Sequence, residues 1–319
     1  MNIRSLVAAL VVAWPLFTSA QTYPAKPIRL VVPFPPAGAT DILSRELARQ
    51  LSDRMKQQVI VDNRPGAGGT LGSDIVAKSA PDGYTIQMAT SSTHSIGPSL
   101  NPKMPYNAQT DFTPVAHVAN SVNLLVIAPN VKANNVSELV TLLKANPGRF
   151  NFGSSGNGTI VHLTAELFKS LTGTYVVHIP YRGTALVIPD MMTGQIHMLF
   201  DNIASAMPHI KDGKLRAIAV TSTQPSPLLP ALPTVAASVP GFESVTWFGV
   251  FGPKAMPAEI TQRLNSEINA VLKSPEFLER VRALGYDAAG GTPSDFAKVV
   301  AADAAKWAKL IKERRITAE

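Results

Sequence analysis

The sequence predicts an α/β fold in two lobes, each a mainly parallel sheet flanked by helices. Short apolar runs that end at turn formers alternate with helical stretches through residues 28–89. A second alternating set fills residues 123–220, and a Pro- and Ser-rich segment, Thr221 to Pro240, separates it from three C-terminal helices. Such alternation requires crossover connections, which make neighbouring strands parallel and place helices on the sheet faces. At 319 residues the chain has reached the length at which one hydrophobic core divides into two.

Each element has its own signal. Ile28 to Val32 is an apolar run stopped by Pro33, and Leu43, Leu47 and Leu51 then recur at helical spacing within Asp41 to Met55. Val59 to Val61 reads as a strand, Asn63 to Gly69 as a loop and Thr70 to Ala80 as a helix stopped by Pro81-Asp82-Gly83; Tyr84 to Ala89 is the third strand. The second set starts with a strand at Asn123 to Ala128 and a helix at Ser137 to Ala145 with Ser137 as N-cap. It continues with strand Arg149 to Phe152, helix Thr159 to Leu171, strand Val176 to Ile179, a helix near Leu186 to Thr193, strand Ile196 to Phe200, a helix from Ile203 and strand Leu215 to Val220. Past the linker, a Trp247-Phe248 strand precedes helices starting near Pro257, Pro275 and Pro293, since Pro is favoured in a first turn. Ile260, Leu264, Ile268 and Leu272 form a core-facing stripe, and all three helices are expected to return to the first lobe. The expected boundaries are 21–121 with 222–319 for lobe 1 and 122–221 for lobe 2.

Composition removes several classes of function. With no cysteine there is no disulfide, thiolate-ligated metal, cysteine nucleophile or lipidated N-terminal cysteine. The formal charge of +7 is spread over scattered Lys and Arg, Arg314-Arg315 being the one basic pair, so no nucleic-acid partner is expected. His94, His117, His162, His178, His197 and His209 are dispersed without metal-ligand spacing; no metal and no cofactor are expected. At the N-terminus, Arg4, the apolar stretch Leu6 to Phe17 and Thr18-Ser19-Ala20 read as a cleavable signal peptide over residues 1–20, too short to span a bilayer. Export outside the cytoplasm follows.

Two loops carry the chemistry. Pro33 to Asp41 joins a strand to a helix at the sheet edge where α/β proteins bind ligands, and its prolines stiffen it. Gly153-Ser154-Ser155-Gly156-Asn157-Gly158-Thr159 also opens a helix, where unpaired N–H groups, hydroxyls and the helix dipole favour an anion. It lacks the Lys of a P-loop and the spacing of a nucleophile elbow, so a carboxylate suits it better than a nucleotide. Ser154 or Ser155 with His162 can be assembled on paper into a hydrolase, without an elbow or a buried acid in sequence context.

Pro33 to Asp41, Asp62 to Gly69, Pro81-Asp82-Gly83-Tyr84, Gly153 to Leu163, Pro180-Tyr181-Arg182-Gly183 and Gly194-Gln195 together resemble the Bug family of solute receptors, which includes the TctC receptors of tripartite tricarboxylate transporters. The resemblance covers essentially the whole chain after residue 20. It implies a periplasmic, type II Venus-flytrap binding protein without catalysis, acting as a monomer, that captures a small organic acid, a dicarboxylate above all, and hands it to two membrane permease subunits. A ligand-presenting sensory receptor remains an alternative, because it needs the same flytrap. The family pattern carries ligand contact to Phe34, Ala37, Gly38, Thr40 and Asp41, and to Ser154, Ser155, Asn157 and Thr159. Ser91, Ser92 and His94, at the end of the third strand, and Tyr181, Arg182 and Asp201, at strand ends of the second lobe, complete the expected site. Arg182 suits a distal carboxylate or a structural partner such as an interlobe acid, Asp201 an amine or hydroxyl if it faces the cleft and otherwise the cap of the helix beginning at Ile203, and Phe34, His94 and Tyr181 an aromatic ring. Family members usually have two glycines where this chain has Ala37-Gly38, so a positive φ at the first position would strain the loop.

Overall fold

The computed structural model describes residues 23–101 and 103–316; the signal-peptide stretch, residues 1–20, lies outside the described residues. Among the described residues, ten strands and ten α-helices follow one another. The first part comprises β1 (Ile28–Val32), α1 (Ala39–Met55), β2 (Val59–Asn63), α2 (Thr70–Ala77), β3 (Thr85–Thr90) and α3 (Gly97–Leu100). After β4 (Phe112–Ile127) come α4 (Val136–Ala145), β5 (Asn151–Ser154), α5 (Ile160–Thr172), β6 (Val177–Pro180), α6 (Ile188–Met192), β7 (Met198–Asn202), α7 (Ile203–Lys211) and β8 (Arg216–Val220). The chain closes with β9 (Val245–Pro253), α8 (Ala258–Leu272), α9 (Pro275–Ala283), β10 (Tyr286–Ala288) and α10 (Pro293–Arg314).

The sheet order is β2-β1-β3-β9-β4-β7-β5-β6, with β10 and β8 also paired to β4. The βα units pair in parallel as the alternation predicts: β1 with β2 and β3, and β5 with β6 and β7. The strands that link the halves, β4 and β9, run antiparallel to their neighbours, so the sheet is mixed. β4 serves both lobes. Its first part, from Phe112 to Val122, pairs with β9, and Asn123 to Ile127 pairs with β7 and β8.

In lobe 1, Ile28, Leu30 and Val32 of β1 and Leu43, Leu47 and Leu51 of α1 are buried with Leu264, Ile268, Phe277 and Val281 of the returning α8 and α9. In lobe 2, the second half of β4 packs with Phe152, Leu163, Phe168 and Phe200. α10 departs from the expectation that it docks on the first lobe alone. Its Phe296 and Val300 join Val31, Val76 and Phe251, while Trp307 and Ile311 join the lobe 2 core. A further tie is Trp247 of β9, whose Nε1–H donates to Asp303 of α10 at 2.8 Å.

Other sequence expectations shift locally. α4 is capped by Asn135 rather than Ser137, because the Asn135 side chain accepts the Glu138 N–H at 2.9 Å. The strand expected from Asn123 begins at Phe112. Where β4 crosses between lobes, Thr221 Oγ1 accepts the Asn123 N–H at 2.8 Å and donates to the Ser244 carbonyl at 2.6 Å, and Asn202 Nδ2 donates to Asn123 Oδ1 at 2.6 Å. Of these buried polar groups, Asn202 also lines the cavity between the lobes.

Candidate functional site

Between the lobes lies a half-open cavity of about 50 Å³. Phe34, Pro35, Pro36, Gly38, Ala39 and Thr40 form its lobe 1 wall with Thr90, Ser92, Thr246 and Phe248. Ser155, Ile160, Val161, Gly183, Thr184, Ala185, Asp201 and Asn202 face them from lobe 2. An outer vestibule of about 550 Å³ shares Phe34 and Ser155 and is bounded by residues 66–69, Gly156, Asn157, Tyr181, Arg182 and Leu186.

Two helix N-termini converge on the inner cavity. α1 begins after Gly38, which has no side chain, so nothing caps its first turn; the N–H groups of Ala39, Thr40 and Asp41 have no hydrogen-bond partner among the described residues. α5 is partly satisfied. Its N-cap Thr159 accepts the His162 N–H, and the Ile160 N–H donates across the cleft to Ser92 Oγ at 2.9 Å. The Val161 N–H, in the cavity wall, has no partner among the described residues. Converging N–H groups and dipoles of this kind favour an anion, above all a carboxylate or phosphate.

The lobes meet at small residues. A Cβ on Gly183 would lie 2.8 Å from Cγ of Pro35 across the cleft, and one on Gly68, at φ +64, would lie 2.6 Å from the Asn157 carbonyl. Side chains at either position would hold the lobes apart.

Of the residues the sequence nominates, Phe34, Gly38, Thr40, Ser92, Ser155 and Asp201 line the inner cavity. Asn157, Tyr181 and Arg182 sit in the vestibule instead; Tyr181 gives its hydroxyl to Asp190 Oδ2 at 2.5 Å and packs against the lobe 2 core. Asp41 is a loop anchor: its carboxylate accepts the Ala37 N–H at 3.0 Å, Asn63 Nδ2 at 2.9 Å and the Arg45 guanidinium at 2.9 Å. Ala37 is exposed, does not line the cavity and adopts φ 65, the strained conformation expected if its position favours glycine. Ser91 is buried and accepts the Trp247 N–H at 3.1 Å. His94 is also buried, its ring stacked 4.4 Å from Phe251 and tilted against Phe112 at 4.5 Å, and it does not line the cavity. Ser154 lies under the glycine-serine loop, its hydroxyl 2.6 Å from His178 Nε2 and accepting the Gly156 N–H. Thr159 acts as the α5 cap. For Asp41, Ser91, His94, Ser154 and Thr159 the backbone position was legible but the side chain is buried, which a loop sequence does not reveal.

Sequence reasoning missed Thr90, Thr184, Asn202, Thr246 and Phe248. Thr90 and Asn202 are the last residues of β3 and β7, where the rule that ligands sit at strand carboxyl ends would have found them. Thr246 and Phe248 belong to the antiparallel β9, to which that rule does not apply.

The hydrolase arrangement does not assemble. His162 Nδ1 accepts the Gly158 N–H at 3.2 Å, and its ring stacks 4.0 Å from His178 rather than bonding Ser155. This pair lies directly beneath the glycine-serine loop and is held neutral. Burial, then the neighbouring His178 and Lys169, lowers the His162 pKa to about 3; burial, then Lys169, lowers that of His178 to about 4. A protonated Nδ1 could no longer accept from Gly158, so charging the pair undoes the loop.

The pH dependence follows in sign. Below the unfolded value near 6.5 the unfolded chain binds protons that these folded histidines refuse, so stability falls as pH drops from about 6.5 towards 4 and is unaffected by them above 7. His94, lowered to about 3 by burial, adds to the effect. Asp201, raised to about 6, opposes it with one proton between about 4 and 6. Melting temperatures recorded from pH 8 to 4 should be level above 7 and decline below 6.5. A rise on acidification would contradict the neutral stack.

The model of the "Tripartite tricarboxylate transporter family receptor" matches residues 43–316. The chain belongs to this receptor family. The receptor is 39% identical over 297 residues to Protein BugT of Bordetella pertussis, covering 92% of this chain and 91% of that protein. Among solved structures, R. palustris Rpa4515 with adipate superposes with a TM-score of 0.90 at 36% identity, covering 92% of this chain and 99% of that one. MatC (Rpa3494) from Rhodopseudomonas palustris with bound malate gives 0.86 at 28%, covering 91% and 100%. The expected family and its two-lobed α/β binding-protein fold are thus shown for this receptor. Among the described residues no helix is long and apolar enough to cross a membrane.

Proposed function

We propose that this receptor works in the periplasm as a monomer, capturing a small organic carboxylate, with dicarboxylates foremost, between its lobes and delivering it to the membrane subunits of a tripartite tricarboxylate-type transporter. Residues 1–20 direct export, residues 21–121 and 222–319 form lobe 1, and residues 122–221 form lobe 2, with α10 spanning both. The observation that carries the reading is the convergence of the uncapped first turn of α1 and the open Val161 N–H of α5 on one cavity. Ligands in the names of two structural relatives, adipate and malate, are of the same chemistry.

In this reading the carboxylate accepts from the N–H groups at Thr40 and Val161 and from the Ser155 hydroxyl. Phe34 and the prolines beside it shield it from water, and Arg182 in the vestibule draws a second carboxylate outward. The receptor performs no chemistry on its cargo. A thermal-shift screen against mono-, di- and tricarboxylates tests this, since a ligand that binds only the folded state raises the melting temperature. At least one dicarboxylate should do so and be recovered unaltered. No shift across the panel, or turnover of a compound, would contradict the proposal.

A further inference from the structure

One wall of the cavity does not suit a plain anion. Asp201, 1% exposed at the end of β7, lines it; its Oδ1 accepts the Asn202 N–H at 2.9 Å, but its Oδ2 has no hydrogen-bond partner among the described residues. Thr90, 2% exposed on the lobe 1 side of the same cavity, likewise has a hydroxyl without a partner. A buried acceptor left without a donor is costly, so native proteins satisfy such groups or use them. Across the cavity the helix N-termini await a negative group, whereas Asp201 repels one.

We infer that Asp201, assisted by Thr90, selects carboxylates that carry a hydroxyl or ammonium donor beside the anchored carboxylate over their unsubstituted counterparts. The inference rests on the carboxylate reading and deepens it. The carboxylate docks at α1 and α5, the substituent donates to Asp201 Oδ2, and any second carboxylate lies away from Asp201, towards Arg182 in the vestibule. The Thr90 hydroxyl accepts from or donates to the same substituent. Burial raises the Asp201 pKa to about 6, against the Asn202 N–H and the nearby Ser205 and Thr184 hydroxyls, which pull it down without reaching hydrogen-bond geometry to Oδ2. The side chain is therefore mainly ionised at pH 7 and ready to accept.

Matched acids test this by calorimetry at pH 7: succinate, malate and aspartate, and adipate with its 2-hydroxy and 2-amino derivatives. In the wild-type protein at least one substituted acid should bind roughly ten-fold or more tightly than its parent, the scale of a hydrogen bond to a charged group. Asp201→Asn, which keeps the shape and loses the charge, should shrink that ratio roughly ten-fold. Equal binding of parent and substituted acids by the wild-type protein overturns the assignment and leaves the carboxylate reading standing. Failure of every acid to bind overturns both. Because the wild-type ratios are decisive alone, a poorly folded variant does not rescue the proposal.

Discussion

Gly183→Val is expected to weaken carboxylate binding by roughly ten- to a hundred-fold while leaving the melting temperature of the ligand-free protein unchanged within a degree or two. Gly183 has extended backbone, with φ 175, so valine introduces no backbone strain. Its Cβ would nevertheless lie 2.8 Å from the Pro35 ring on the opposite lobe. A proline ring has no rotamer to retreat into, and overpacking of this kind costs roughly 1–3 kcal/mol. The cost falls on the closed state alone, because separated lobes leave the side chain in solvent, so it is read as affinity rather than stability. Titration calorimetry and a melting curve on the same preparation separate the two. Undiminished affinity would mean that the lobes do not need to meet at Pro35.

Trp307→Ala is expected to cause the largest loss of stability, roughly 3–5 kcal/mol. The side chain is 1% exposed in the lobe 2 core, yet it is carried by a helix whose first half is buried beside lobe 1 through Phe296 and Val300. Its removal leaves an indole-sized cavity and frees the end of α10. Denaturant titration measures it, and Trp307→Phe should recover most of the loss. A loss under about 1 kcal/mol would contradict the packing described.

Much of this fold was legible because local signals agree. Leu43, Leu47 and Leu51 mark α1, and Pro275 and Pro293 open α9 and α10 at first-turn positions. The first half of β4 was not legible. Residues 112–121 mix Thr, Pro, His, Asn and Ser with small apolar residues, and their burial comes from β9 and β10 pairing at long range, which no local period encodes. β10, with three residues, is too short for a pattern. The destination of α10 was missed for a related reason: its apolar stripe shows that it packs, but nothing in it distinguishes the core that receives Phe296 from the one that receives Trp307.

The site divides along the same line. Strand-loop-helix order located the loops at Phe34–Thr40 and Ser154–Thr159, because helix N-termini at a sheet edge are properties of topology. Which side chains turn outward was decided by tertiary partners: Asn63 and Arg45 hold Asp41 inward, Trp247 holds Ser91, and Phe112 and Phe251 hold His94. Asp201 was nominated as one of two outcomes, ligand contact or helix cap. Its free Oδ2 in the cavity wall, with Asn202 in the cap position of α7, favours contact.

The central claim is that a carboxylate is held between the first turns of α1 and α5. It is tested most directly by a crystal structure of the receptor with the acid that most raises its melting temperature. Carboxylate oxygens are expected about 2.7–3.2 Å from the backbone nitrogens of Thr40 and Val161, with Gly183 closed on Pro35. A ligand confined to the outer vestibule, or seated with its carboxylate turned away from both helix N-termini, would contradict it.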